Sequence, residues 1–557
     1  MIPQAVLATP VGHDFLALDD VPGMNVAGNI AVVTRNALSV PVVQEVFERL
    51  EVPAPPFVVR QCPPPMFAPT QPLHAHQLEA VQWLLREGSG LLADVMGLGK
   101  TRVAAVAAET WRRAEGGPFV IIAPRHTYAS WAQQLTALGV IAHPSELVRV
   151  EGTRPSTEAL APGLVWFIHY QIAHAWVGHM RVSSFGTIST AIVDEVHWIR
   201  NARARMSNAV LALAGCARHR IGLTGTPLPN RVRDLWTLLS LIAGPGQFGS
   251  LFEFRLRYAG AQYDGFGYQD AVPTHVEELH ARMASVYLRR TLEDVPELKL
   301  PLLTRRALLV EPGDDTRVQQ RAWAKLHADG LSARDLLTAF QRGGLSTATL
   351  SVLASLRVAA QAVKRPAIVA HVAGLALTGE SVVVFTWQRA TAQAICDDVA
   401  RVPGLGADDA DRVYVAVHGG VSAADRAADV QAFQTRGGVL CATLDSLREG
   451  VTLTVAHHVV IADLSWVPSD LLQGEARIAR IGQAHPTTSW WALAKGSVDE
   501  VIATHLLIKV REQALATHDD VGAVALEGLG LEAALGLTSA SGADLAEEFL
   551  TRWEVQR

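Results

Sequence analysis

The sequence predicts an α/β protein of two tandem parallel-sheet lobes, with helical insertions and a small N-terminal module. Three observations carry this prediction. From Gln71 onward, short β-branched runs alternate with helical patterns. Each run is apolar almost throughout rather than at every second residue, as in a parallel strand covered on both faces. The runs also fall into two sets, separated by a largely helical stretch at about 232–370.

The first set comprises FVIIAP (Phe119–Pro124), LVWFIHY (Leu164–Tyr170), TAIVDE (Thr190–Glu195) and HRIGLTGTP (His219–Pro227). The second comprises VVVFTW (Val382–Trp387), RVYVAV (Arg412–Val417), GVLCATL (Gly438–Leu444), HVVIADL (His458–Leu464) and SWWALA (Ser489–Ala494). Before them, residues 1–52 read as a small module with a turn at Pro22-Gly23 and a helical pattern over Val42–Leu50. Residues 53–72 hold eight prolines, which forbids helix and favours an extended linker. The expected division is therefore 1–52, the linker 53–72, a first lobe 73–300 with a helical insertion, a helical linker or protrusion 301–370, a second lobe 371–510, and an acidic Ala/Leu/Gly-rich tail 511–557.

Composition narrows the class. Of 557 residues, 49% are hydrophobic and 18% charged, enough for large buried cores and too few charges for a disordered chain. No apolar run approaches the roughly 18 residues of a membrane span, so no membrane partner is expected. The N-terminus shows no basic residue ahead of an apolar run, so no signal peptide is read there. Cys62, Cys216, Cys396 and Cys441 lie far apart without a CxxC pair. That argues against a disulfide framework or zinc module and predicts a reducing, cytoplasmic location. The formal net charge of −6 would by itself count against a nucleic-acid partner. From Thr517 to Arg557, however, eight acids face only Arg552 and Arg557, so 2 − 8 = −6 and the rest of the chain sums to zero. A neutral body can still carry a basic groove.

The sharpest local signal is LADVMGLGKT (Leu92–Thr101), between a short apolar strand and the helical VAAVAAETW (Val103–Trp111). Gly97 and Gly99 let backbone N–H groups turn towards phosphate oxygens, and the following helix N-terminus favours negative charge. Lys100 would reach the β- and γ-phosphates, and the Thr101 hydroxyl would ligate Mg2+. The usual first glycine is replaced by Asp94. A second signal, Asp194-Glu195-Val196-His197, closes the TAIVDE strand. There one carboxylate can hold Mg2+ and its neighbour can position water.

With these residues in place, the sequence resembles the superfamily II helicase-like ATPases, specifically the Swi/Snf-type DNA translocases, over about Leu73 to Lys509. LHAHQLEAVQWL (Leu73–Leu84) is similar to the family's first segment, and VIIAPRHTYASW (Val120–Trp131) to motif Ia. DEVHWIRN (Asp194–Asn201) resembles the DEAH-x-I-K-N form, with Val196 for Ala and Arg200 for Lys. LTGTPLPNRVRDLWTLL (Leu223–Leu239) resembles the group's signature, with Pro229 for the usual Gln, and LRRTLEDV (Leu288–Val295) its link out of the first lobe. VVVFTWQRA (Val382–Ala390) is similar to motif IV, and VHGGVSAADR (Val417–Arg426) to the loop that follows. EGVTLTVAHHVVIADLSWVPSDLLQGEARIARIGQ (Glu449–Gln483) resembles motifs V and VI, with Ala476 in place of an Asp. The Gly-Val-Thr-Leu-Thr form, followed by AKGSVDEVI (Ala494–Ile502), leans towards the HARP annealing-helicase branch. FLALDDVPGMNVAGNIAVVT (Phe15–Thr34) resembles that branch's accessory module.

The resemblance implies two RecA-like lobes with ATP in the cleft between them. Gln77 would read adenine. Asp94, Gly97, Leu98, Gly99, Lys100, Thr101 and Gln473 would complete the ATP site, with Thr101 and Asp194 at Mg2+ and Glu195 acting on water. Arg477 and Arg480, three apart on one helix face, would serve as arginine fingers. Double-stranded or branched DNA would be held mainly through phosphates. Candidate contacts are Arg125, Arg200, Arg203, Arg205, Arg289 and Arg290, with Thr226 linking nucleotide state to the groove. Trp466 and Trp490-Trp491 read as core packing or as base-stacking rings, and His418 as backbone-facing. The tail reads as a helical cap or as a flexible end for a protein partner.

The implied function is an ATP-dependent motor that rewinds or remodels DNA. Two rivals stand beside it. An RNA or single-strand helicase is disfavoured by the LTGTP and RIGQ forms. A silent ATP-gated scaffold is disfavoured by retention of Lys100, Glu195, Arg477 and Arg480, although Val95 and Ala476 depart from the family pattern.

Overall fold

The computed structural model describes residues 5–7, 24–27, 30–33, 67–155, 165–182, 187–225, 231–244, 246–263, 265, 268–270, 273–291, 294–298, 301–312, 317–328, 330–342, 347–447, 451–480, 482–517, 532, 535, 537 and 542–555. It divides after Val295 into two units, 1–295 and 296–557. The Val42–Leu50 helical pattern and most of the proline-rich stretch lie outside the described residues. Of the N-terminal module, β1 (Ala5–Leu7), β2 (Met24–Ala27) and β3 (Ile30–Val33) form an antiparallel sheet in the order β1-β3-β2.

The first unit is built on a seven-stranded sheet. Its strands are β4 (Gly90–Leu92), β5 (Phe119–Ala123), β6 (Leu147–Val150), β7 (Val165–His169), β8 (Ile188–Asp194), β9 (Ala217–Leu223) and β12 (Tyr287–Leu288). Their order is β12-β4-β9-β8-β5-β7-β6, and every pairing is parallel. A short hairpin, β10 (Gln262–Tyr263) with β11 (Tyr268–Gln269), stands apart from this sheet. All five residues of β5 are buried, which explains its unbroken apolar run. The helices Ala75–Glu87 and Lys100–Glu115 pack Val81, Leu84, Val103 and Val106 onto Leu92, Ile121, Ile192 and Ile221. Because all strands point one way, the segments after β4, β8 and β9 share the carboxyl edge, where ligands of parallel sheets bind.

The second unit has a six-stranded parallel sheet. It contains β13 (Leu303–Val310), β14 (Val382–Thr386), β15 (Val413–Val417), β16 (Gly438–Thr443), β17 (His458–Ile461) and β18 (Thr487–Ala494), in the order β13-β18-β17-β14-β16-β15. Along β14, Val383 and Phe385 enter one core while Val382 and Val384 enter the other, so neither face tolerates a polar residue.

Two expectations are corrected here. The stretch 301–370 is not a purely helical protrusion. It opens with β13, which pairs with β18 over eight residues, and its helices place Trp323, Leu326, Leu336, Leu337, Leu353 and Leu356 in the core of the second unit. The strand escaped notice because β13 is an edge strand whose LTRRALLV sequence carries two arginines, both with partners inside the fold.

The second correction concerns the tail. The expected boundary at 510/511 falls inside the helix Val498–Thr517. Farther on, the helix Gly542–Val555 buries Leu545, Phe549, Leu550 and Trp553 in the same core, with Trp553 5.3 Å from Trp323. The described part of the tail is therefore a packed cap, with Asp544 and Glu547 exposed and Glu547 paired with Arg334 at 2.8 Å. Among the described residues, no helix is long and apolar enough to cross a membrane.

Candidate nucleotide and nucleic-acid sites

The loop between β4 and the helix Lys100–Glu115 is a tight glycine turn held from three sides. Gly97 and Gly99 have φ of 93° and 81°, a region costly for residues with a Cβ. A Cβ on Gly99 would also stand 2.3 Å from Gln77 Nε2. Gln77 Nε2 donates to Leu98 O at 3.0 Å, and Gln77 Oε1 accepts the His74 N–H at 3.2 Å. His76 Nε2 lies 3.0 Å from the same Leu98 carbonyl. Gln77, expected to read adenine, thus latches the helix Ala75–Glu87 to the loop and is itself buried.

Lys100 Nζ donates to Asp94 O at 2.6 Å and Val95 O at 3.2 Å, carbonyls within its own loop. Burial pushes the ammonium pKa down, while Glu195, Asp94 and Asp194 pull it up. Lys100 therefore feels three carboxylates, opposed by the neighbouring Arg289. Thr101 follows it in the first turn of the helix.

Asp94 explains why the loop tolerates the loss of a glycine. Its side chain is 1% exposed, and a buried carboxylate requires a cation. Arg290 supplies it: Nη2 lies 2.6 Å from Oδ2 and Nε 3.2 Å from Oδ1, while Nη1 donates to His76 O. Arg289 donates to Ala93 O at 2.6 Å. The expectation that Arg289 and Arg290 touch DNA phosphates is corrected. Both are engaged inside the unit, because β12 runs parallel to β4 and delivers them to the base of the loop.

At the end of β8, Asp194 Oδ2 accepts the Trp131 indole N–H at 2.8 Å, and Oδ1 accepts the Glu195 N–H at 2.9 Å. Burial, then the neighbouring Glu195, push Asp194 up to about 6. Tyr170 Oη donates to Asp194 O at 2.5 Å, fixing the strand end from below. Glu195 has φ 50° and ψ 49°, a strained conformation for a non-glycine residue, of the kind that functional sites retain. Its Oε2 lies 3.2 Å from His197 Nδ1. After β9, Thr224 is buried, and a Cβ on Gly225 would come 2.6 Å from Met96 and 3.6 Å from Lys100 Nζ. Lys100, Asp194, Glu195 and the Thr224-Gly225 turn are thereby brought together. Thr226 lies outside the described residues.

The second unit carries the other candidates. Gln473 and Arg477 line a small pocket with Phe385, Leu444 and Asp470. Arg477 and Arg480 are not on one helix face: the helix Pro468–Glu475 ends before them, capped at Ala476, and both lie in the turns that follow. The turn is set by tertiary bonds that no helical spacing reveals. Arg477 O accepts the Leu453 N–H at 2.9 Å. Gln483 Nε2 donates to Thr454 O, Ala456 O and Ile478 O, while its Oε1 accepts the Ala484 and His485 N–H groups. Burial lowers the Arg480 pKa. Glu475, 1% exposed on its side chain, pairs with Arg305 of β13 at 2.8 Å and accepts the Trp491 indole N–H at 3.0 Å.

Arg125, Arg203 and Arg205 are exposed and Arg200 is half-buried. Trp491 is core and Trp490 stands half-buried beneath Arg306. Trp466 packs partly into the core and lies 5.4 Å from Trp387, with Arg357 over both rings. His418 Nδ1 accepts the Gly420 N–H, a backbone-facing role. Sequence reasoning passed over Trp131, Tyr170 and Gln483 as position-setting residues, although each ends a segment it singled out. Arg290 could have been found as the cation that Asp94 demands.

Comparison with known proteins identifies the family of the chain. The SNF2-related domain model matches residues 76–366, more than half of the chain, and the helicase conserved C-terminal domain model matches 364–482. The SWI/SNF-related matrix-associated actin-dependent regulator of chromatin subfamily A-like protein 1 of Drosophila melanogaster is 28% identical over 75% of this chain and 52% of its own. The Xenopus tropicalis protein of that name is 25% identical over 76% and 43%. The mouse DNA annealing helicase and endonuclease ZRANB3 is 26% identical over 78% and 41%. The chain thus spans about half the length of the curated relatives it matches. A Sulfolobus solfataricus SWI2/SNF2 ATPase core, solved in complex with double-stranded DNA, aligns with 85% of this chain and 98% of its own at 18% identity and a TM-score of 0.38. With both domain models matched in order over two parallel-sheet units, this chain belongs to the SNF2-related family of helicase-like proteins.

Proposed function

We propose that the protein is an ATP-dependent motor on double-stranded or branched DNA that couples ATP hydrolysis to strand rewinding or remodelling. One observation carries the reading: Lys100 sits among Asp94, Asp194 and Glu195 at the mouth of a glycine turn. The residues fit ATP with Mg2+. Asp194, neutralised below about pH 6 by burial and by Glu195, is a carboxylate whose ionised form a divalent cation would stabilise. Mg2+ needs only one or two protein oxygens, so Thr101 and Asp194 suffice. Bound there, the ion would offset charge on the terminal phosphates.

The chain's own residues do the rest. Lys100 exchanges its loop carbonyls for phosphate oxygens, and the N–H groups around Gly97 and Gly99 hold the triphosphate. Glu195, fixed in its strained turn, orients the attacking water and takes its proton. Arg477 and Arg480 act as arginine fingers on the charge developing at the transferred phosphoryl group. Arg125, Arg200, Arg203 and Arg205 hold DNA phosphates. Annealing activity, as named for the mouse relative, is the DNA transaction this reading favours.

The test is ATPase activity of the full chain with duplex DNA, forked DNA, single strands or RNA. DNA should stimulate best, and Glu195→Gln should lower the stimulated rate by about 100-fold or more. RNA stimulating best, or a Glu195→Gln protein as active as wild type, would overturn the reading.

A further inference from the structure

The first unit carries an aromatic face that the nucleotide site does not use. Tyr263 of β10 pairs with Tyr268 of β11, and Phe252 projects from the adjacent helix Leu251–Tyr258. These rings are 65%, 41% and 47% exposed. Tyr268 stands between the others, 5.6 Å from Tyr263 and 5.0 Å edge-on from Phe252.

The face is held rigidly from behind. Asp270, directly after β11, receives Arg255 Nε at 2.7 Å and Arg233 Nη1 at 3.0 Å, while Arg255 Nη2 donates to Tyr268 O. Arg231 approaches the same carboxylate, and Arg200, Arg231 and Arg233 all act on buried Asp234. With Glu253 beside Phe252 counted, four arginines thus face three acids, 4 − 3 = +1, with the Arg233 side chain 39% exposed.

We propose that this hairpin binds unpaired nucleotides at a DNA branch, the bases stacking on Tyr263, Tyr268 and Phe252 and the phosphates meeting the arginine cluster. The inference rests on the DNA-motor reading and adds a substrate feature to it. Planar rings beside a cationic excess are complementary to a π-face beside a phosphate, whereas a protein-docking patch needs no such charge. Bases inside a duplex are already stacked on one another, so the rings select nucleotides that are not. Arg231 and Arg233 also sit at the start of the helix Val232–Ala243, which follows the LTGTPLPN segment, so the hairpin is tied to an element that follows the phosphate site.

The test uses the full chain and a forked DNA carrying 2-aminopurine in its unpaired arm. Wild-type protein should change the probe's fluorescence by stacking and should bind the fork more tightly than a blunt duplex. Phe252→Ala/Tyr263→Ala/Tyr268→Ala should abolish the signal and weaken fork binding about tenfold or more, with blunt-duplex binding unchanged. Tyr263→Phe/Tyr268→Phe, which keeps the rings, should behave as wild type, and an unchanged melting temperature would show that the alanine variant folds. A signal that survives in the alanine variant, or fork and duplex affinities falling together, overturns the proposal. Absence of DNA-stimulated ATPase from the wild type overturns the motor reading separately, because the fluorescence signal reports stacking whether or not ATP is hydrolysed.

Discussion

Arg290 clamps Asp94 at the base of the glycine loop, its Nη2 2.6 Å from Oδ2, with the carboxylate sealed from solvent. An acid where the phosphate loop usually has a glycine and an arginine about 200 residues later thus form one structural unit. Arg290→Ala should destabilise the first unit by about 3–5 kcal/mol, since a lone buried charge remains. Asp94→Gly/Arg290→Ala should recover much of that loss. Denaturant melts of the four proteins in a double-mutant cycle check this, and additive losses would show that the pair is not coupled.

Trp131 holds Asp194 through its indole N–H, a bond that keeps the carboxyl below where burial alone would put it. Trp131→Phe removes that donor, so the Asp194 pKa should rise. Activity that needs ionised Asp194 is lost as pH falls through its pKa, so the acid limb of the ATPase pH profile should move to higher pH. A profile that only falls in height, without moving, would contradict this assignment.

Asp234 is pushed up to about 6 by burial, against the opposing pull of Arg233, Arg200 and Arg231. Its folded-state pKa lies above the unfolded value near 4. Its contribution to stability is therefore complete below about pH 4 and lost as pH rises through about 6. Asp234→Asn should gain stability relative to wild type between pH 5 and pH 7.5, by up to about 3 kcal/mol. Melting curves across that range check both sign and window.

Gln483 ties the turn that carries Arg480 to the segment before β17: its Nε2 is shared among the Thr454, Ala456 and Ile478 carbonyls, and its Oε1 accepts two N–H groups. Gln483→Ala should cost about 2–3 kcal/mol by leaving buried polar groups without partners. It should also speed amide exchange across 476–485 more than elsewhere in the unit. Uniform exchange behaviour would mean that the turn is held by other contacts.

Truncation after Ala516 removes Leu545, Phe549, Leu550 and Trp553 from the second core. Each is worth about 1.5–3 kcal/mol when fully buried, so the shortened chain should melt far lower. Neutralising the outer acids with Glu547→Gln/Glu548→Gln leaves the packing intact. If the tail's charge opposes DNA, that variant alone should bind DNA more tightly.

The nine strands read from apolar runs all appear in the two sheets, because a strand buried on both faces leaves a continuous hydrophobic signature. What escaped was marked by other physics. β13 is an edge strand whose Arg305 and Arg306 find Glu475 and Trp490 across the fold. The turn holding Arg477 and Arg480 looks helical by spacing, but Gln483 and Leu453 bend it. Arg289 and Arg290 look like surface cations until β12 lays them beside β4.

The sequence by itself determined the two-lobe α/β plan, the glycine turn at Gly97–Lys100 and the acidic pair Asp194-Glu195. Each of these is written in local spacing, which survives without knowledge of distant residues. Tertiary structure alone decided which charges are structural and which remain at the surface. It paired Asp94 with Arg290, seated Glu475 on Arg305 and docked the acidic tail as a helix into the second core. Burial makes a charge seek a partner wherever the fold brings one, and the chain distance between them, about 170 or 200 residues here, carries no local trace.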